Sequence, residues 1–180
     1  MAQALALLDV GGLPELSMRR LGAELGVQPS ALYHHFPNKQ ALLAAVADEL
    51  LTRLPAASEA SGLGWEERVA ATCAALREVL LSCRDGAELV ATVWAFGLGA
   101  AAPYDALLTL LEGGGVAGLS QVAARTLLHF VYGHVVDEQT HLQAAEVGAI
   151  DDRLDDPEAD FAAGLGIVVA GIGLARAVRA

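Results

Sequence analysis

Residues Leu16–Leu43 read LSMRRLGAELGVQPSALYHHFPNKQALL, and their punctuation predicts two short helices followed by the start of a longer one. Ser17 can cap a helix whose apolar residues Met18, Leu21 and Leu25 recur at i, i+3 and i+7, so one face of it should be buried. Gly26 suits the left-handed position just past a helix end. Pro29 fits the first turn of the next helix, where its missing N–H would have no partner anyway, and Leu32 and Phe36 point inward at i and i+4. Pro37–Asn38 stops that helix and offers a new cap, from which a longer helix runs from Lys39 to about Leu54.

Outward from this stretch, Ala2–Leu8 reads as part of a first helix ended by the Gly11–Gly12 pair. Pro55–Gly64, rich in alanine, serine and glycine, reads as a connecting loop. Further helices are expected at roughly 65–83, 86–100, 104–112, 119–146 and 158–179, with Asp151–Glu158 as an acidic surface connection. The chain has 180 residues, 54% of them hydrophobic, enough to bury a core, and the helical spacing of the apolar positions predicts an all-α protein. The uncharged run Leu89–Tyr104 contains Pro103 and is short for a membrane span, and Phe161–Ala175 is shorter, so no membrane association is expected. No targeting segment is visible, which points to the cytoplasm. Cys73 and Cys83 fall about 15 Å apart along one helix, too far to bridge, and read as reduced thiols.

A net charge of -11 argues against nucleic acid, because phosphate binding leaves a basic footprint. Distribution decides otherwise. Between Leu16 and Gln40 the bases Arg19, Arg20 and Lys39 face one acid, Glu24, while the acids crowd into Asp151–Asp160. Three short helices with a glycine turn between the second and third form a helix-turn-helix signature, in which the third helix enters the major groove. Arg20 reads as part of a solvated face.

The run Leu32-Tyr33-His34-His35-Phe36-Pro37-Asn38-Lys39-Gln40-Ala41-Leu42 closely resembles the core of the TetR-family DNA-binding motif, L-Y-x-H-F-x-x-K-x-x-L. The resemblance implies a transcriptional regulator and not an enzyme, most often a repressor. Such a regulator binds operator double-stranded DNA as a homodimer and is released by a small-molecule inducer. It implies a helix-turn-helix domain over 1–50 and a helical ligand-binding and dimerisation domain over 51–180. The expected DNA-facing residues are Arg19, Gln28, Pro29, Ser30, Ala31, Tyr33, His34, His35 and Lys39. Tyr33 and His35 resemble the family's phosphate contacts. Arg19 matches a base-contacting position, where its fork suits guanine. Lys39 offers a point charge to the DNA backbone. Compared with the family, the first helix is short and lacks a basic arm before it.

The second half resembles the tetracycline repressor subgroup through Leu80-Leu81-Ser82-Cys83-Arg84-Asp85-Gly86-Ala87, through His129-Phe130 with Gly133, Val135, Asp137, Gln139 and His141, and through Trp65. In that subgroup the eighth and last helices build a four-helix dimer bundle, and Gly164 and Gly171, on one stripe of the last helix, would permit close packing. The drug-binding side chains are not kept. The positions of the gripping asparagine and the magnesium-ligating histidine hold Thr72 and Val90, the other histidine falls near Leu54-Pro55, and only the supporting carboxylate remains, as Asp137. The resemblance therefore implies an inducer other than tetracycline and no metal or other cofactor. Leu76, Val90, Val93, Trp94 and Phe96, with Asp137 and His141, are the candidate ligand contacts, largely apolar. The alternative is a helical metal-dependent enzyme using His134, Asp137, Glu138 and His141, since the first, second and last of these share a helical face; no His-Glu-x-x-His spacing supports it.

Overall fold

The computed structural model describes residues 1–55, 62–116, 118–151 and 156–179. Among these residues it is all helical, with α1 (Ala2–Glu15), α2 (Met18–Leu25), α3 (Pro29–Tyr33), α4 (Lys39–Leu51), α5 (Trp65–Leu81), α6 (Gly86–Ala95), α7 (Ala102–Gly113), α8 (Ser120–Glu146) and α9 (Pro157–Arg179). The chain divides into two compact units, one of Met1–Arg53 with Val79–Ala101, the other of Leu54–Glu78 with Ala102–Ala180.

In the first unit, α1 packs on α2 and α4, α2 on α3, and α4 on α6. Leu8, Leu16, Leu42, Val46, Leu50, Leu89 and Val90 form its buried core. The first helix continues past the expected end at Leu8 and leaves helical geometry at Gly12, where φ is 71° and ψ −173°. Only glycine fits there, because a Cβ would collide with the carboxylate of Asp85. That carboxylate accepts a hydrogen bond from the Leu13 N–H at 2.8 Å. Asp85 is itself left-handed, at φ 55°, so the turn into α6 is fastened to the end of α1 by a strained residue. At the other end of α6, Ala100 is also left-handed (φ 59°) and donates its N–H to Asp48 Oδ1 on α4 at 2.8 Å.

In the second unit, α8 packs against α7 and α9. Leu107, Leu111, Leu127, Leu128, Val131, Val135, Phe161 and Leu165 fill the space between them. Gly164 lets α9 approach the Phe130 ring, where a Cβ would stand 2.8 Å from it, while Gly171 on the same stripe is exposed and faces open space. Helix α9 differs from the sequence expectation. Its stretch Pro157–Val178 is long and apolar enough to cross a membrane by length and composition, because the isolated charges near its ends do not shorten the helix. Only 17% of that apolar window is buried in the unit, and Ile167 and Leu174 are 75% and 70% exposed.

Neither cysteine is in a disulfide, and both are buried. Burial pushes the Cys73 thiol up to about 12. Burial first, then Asp9, raises Cys83 to about 11 against the opposing pull of Arg53. Both therefore stay protonated and unreactive at neutral pH.

A buried ion pair also crosses this second unit. Arg77 Nη2 donates to both carboxylate oxygens of Glu138, at 2.8 and 2.9 Å, while Nη1 donates to the exposed Glu78 at 2.9 Å. Removing one charge strands the other in a low-dielectric interior, whereas replacing both with apolar groups does not. Glu138→Ala should lower the urea-unfolding free energy by about 3 kcal/mol, the low end of the usual range because Glu78 still faces Arg77, and the double substitution Arg77→Met, Glu138→Leu should recover most of it.

Candidate nucleic-acid interface

The helix-turn-helix is held by local interactions that its sequence specifies. The Ser17 side chain accepts the Arg20 N–H at 3.2 Å, capping α2, and Gly26 closes the helix at φ 67°, ψ 27°. The buried face of α2 differs from the expected one. Met18 and Leu21 are buried, but Leu25 is 48% exposed, because it stands at the last position of an eight-residue helix where the chain turns away. Gly22 is buried in its place, and a Cβ there would lie 3.0 Å from the Val27 carbonyl and 3.4 Å from Pro29 N. The two helices of the motif meet across this hydrogen side chain. Pro29 opens α3, Leu32 is buried, and Phe36, beyond the helix end, is half-buried. Asn38 caps α4 by accepting the Ala41 N–H at 2.8 Å, which makes Lys39 its first residue.

With Leu32 turned inward, the rest of the motif faces solvent. Arg19, Gln28, Ser30, Ala31, Tyr33, His34, His35 and Lys39 are exposed and Pro29 is half-buried. Arg20 lies 3.7 Å from both Glu15 and Glu24, so its charge is compensated at an exposed site. Among the described residues, Arg19 and Lys39 make no ion pair, which leaves both free for phosphates or bases.

The candidate effector residues distribute over both units. In the first, Val90 and Val93 are buried on α6, Trp94 is half-buried and Phe96, just past the helix, is 68% exposed. In the second, Leu76 is buried on α5, Asp137 is exposed and His141 half-buried on α8. The four proposed enzyme residues do not assemble. Adjacent on α8, Asp137 and Glu138 point about 100° apart; the first is exposed, and the second is buried and bound by Arg77. His134 Nδ1 stays 4.0 Å from Glu138, its ring against Phe161 at 5.2 Å. Among the described residues no group of three or more histidine, cysteine or acidic side chains could hold a metal. Sequence reasoning passed over Asp48, Asp85 and the Arg77–Glu138 pair. The one visible signal was a charge inside an apolar helical run, at Arg77 beside Leu76 and Val79.

The family description "Bacterial regulatory proteins, tetR family" matches residues 1–46, and "Tetracyclin repressor-like, C-terminal domain" matches residues 57–155. The chain belongs to the TetR family. This TetR-family chain is 34% identical to the class A tetracycline repressor of Escherichia coli over 97% of its own length and 89% of that protein's. Its fold superposes on Mycobacterium smegmatis BioQ with a TM-score of 0.87 at 41% identity, covering 95% and 93% of the two chains. A second match is a BioQ crystallised with its double-stranded DNA operator (TM-score 0.77, 38% identity, covering 95% and 93%). ActR of Streptomyces coelicolor, crystallised with (S)-DNPA, matches at a TM-score of 0.79 and 28% identity, covering 97% and 95%. As a TetR-family protein the chain is a transcription regulator and not an enzyme.

The tight contact at Gly22 yields a specific expectation. Gly22→Val should cost about 1–3 kcal/mol of stability, because the Val27 carbonyl and Pro29 are backbone that cannot yield cheaply. Gly26→Asn, at a left-handed position with open space around it, should be tolerated in the same thermal-unfolding series.

Proposed function

We propose that this TetR-family regulator is a repressor that grips operator double-stranded DNA as a homodimer and releases it when a small, largely apolar inducer binds. The observation that carries the DNA reading is the exposed face of Arg19, Gln28 to Ala31, Tyr33 to His35 and Lys39, mounted on buried Leu32 and carrying two uncompensated cations. Its place of action is the cytoplasm, with the operator.

The homodimer rests on the outward side of the second unit. A helix as apolar as α9 with Ile167, Leu174 and Val178 in water is an open half-interface, and Val122 and Leu142 on α8 add to it. A second copy of the same helices supplies the matching half.

The inducer reading rests on Val90, Val93, Trp94 and Phe96, on and just past α6 in the first unit. Tetracycline is a poor fit, because Thr72, Val90 and Leu54-Pro55 stand where its grip would be. Release is allosteric. Helix α6 packs on α4 and is tied to it through Asp48 and Ala100, while α4 begins at Lys39 beside the recognition helix. An inducer that shifts α6 tilts α4, and the two recognition helices of the dimer no longer match major grooves about 34–36 Å apart.

Two measurements test this. Arg19→Ala should lower operator affinity and relax selectivity at one base pair, whereas Lys39→Ala should weaken all sequences alike and reduce the salt slope by about one unit; parent-like binding by both variants would show that the recognition face is misplaced. In sedimentation at micromolar concentration the chain should run as a dimer, and a monomer would remove the two-half-site mechanism.

A further inference from the structure

Helices α5 and α9 run antiparallel in the second unit. Trp65, at the start of α5, lies against Gly173, 3.8 Å from where its Cβ would stand, while the Arg77 guanidinium sits 5.4 Å from the centre of the Phe161 ring. Between these two contacts the facing residues are small, among them Ala70, Ala71 and Ala74 on α5 and Gly166 on α9. Two helices propped at both ends by aromatic rings cannot close over alanine and glycine. What remains is an open groove of about 580 Å³, floored by Leu165 and Val169. Its size lies within the range of about 300–1,000 Å³ typical of small-molecule sites.

Its walls are apolar except for Glu66 and Glu67, both exposed at the Trp65 end. Neither takes part in an ion pair among the described residues. Glu67 uses one oxygen to accept the Gly64 N–H at 2.8 Å, and the other is left over. The groove is thus amphipathic along its length, aromatic at the Phe161 end and doubly negative at the Trp65 end. An anion would be repelled there, and a neutral apolar body would leave both carboxylates without a counter-charge. A cation with an apolar body satisfies both ends.

We propose that this groove binds a lipophilic cation, its ammonium-type head between Glu66 and Glu67 and its body along α5 and α9 toward Phe161. The site shares no residue with the inducer contacts and goes beyond that reading. On α9 the groove residues Leu165 and Val169 face away from Ile167, about 160–200° around the helix, while Ala170 stands at the margin of the dimer stripe.

Trp65, buried beside Glu66 at one end of the groove, serves as the reporter. In the full chain carrying Trp94→Phe, Trp65 is the remaining tryptophan. Titration with decyltrimethylammonium below its micelle concentration should give a saturable change in its emission, and decanoate should give none. The double variant Glu66→Gln, Glu67→Gln should bind the cation about tenfold more weakly. Gly166→Leu should abolish binding with helix content unchanged by circular dichroism, since its Cβ meets open space and its side chain fills the groove. An equal response to decanoate, or unaltered affinity in the charge-neutral variant, would overturn the proposal. So would cation affinity that falls with protein concentration in step with dimer formation, which would mean that a second copy occupies the groove. Should Gly166→Leu lose helicity, the charge-neutral variant alone decides.

Discussion

Helix α4 buries Leu42, Val46, Ala47 and Leu50 completely, and the DNA-reading half of the molecule is arranged around that face. It packs on α1 and on α6, so its orientation is set by two neighbours at once. Its first residue is Lys39, directly after the cap that closes the recognition segment. A helix this well packed moves as a rigid piece, because a close-packed interior has few intermediate positions available. The recognition helix, by contrast, has five residues and one buried side chain, Leu32, and could not hold its own orientation. Its aim is set by α2, on which it packs, and by its short link to α4.

How much of this was legible in the sequence follows from the range of each interaction. Ser17, Gly26, Pro29 and Asn38 act within four residues of themselves, so their roles were readable, and each stands in the structure as a cap, a left-handed stop or a first-turn proline. Leu25 misled because periodicity carries no information about where a neighbouring helix ends. Gly22, which makes the motif's tight turn possible, looks like any other glycine until Val27 and Pro29 are brought back against it. The carboxylates of Asp48 and Asp85 act over 52 and 72 residues of chain, and no local pattern announces such a partner. The exposed recognition motif was legible because it is contiguous in sequence. The candidate effector residues, scattered from Leu76 to His141, carry no local pattern and rest on the family resemblance.

Charge is partitioned in a way that the net value of -11 conceals. Arg20 is neutralised by Glu15 and Glu24, and Arg77 is consumed in the interior by Glu138. What remains for phosphates on the recognition face is Arg19 and Lys39, with His34 and His35 exposed beside them. A protein with so few cations in contact gains little from counterion release, so sequence-independent affinity should be low and discrimination should rest on shape and base contacts. An acidic body reinforces this by repelling DNA everywhere except at the reading face.

Ala100 is wholly buried, yet its backbone adopts a conformation that costs a residue with a side chain about 1–2 kcal/mol and glycine almost nothing. Asp85 is also left-handed at the opposite end of α6, at a smaller cost because aspartate tolerates this geometry better than alanine. Glycine at position 100 would relax its turn, whereas glycine at position 85 would also remove the carboxylate that holds the Leu13 N–H, so the tension is greatest at the Ala100 end. Tension makes the bound-down arrangement easier to leave, because any ligand that frees one end recovers part of the stored strain instead of supplying the whole work of the transition. Relaxing the Ala100 end would make a more stable protein whose α6 has less strain to release.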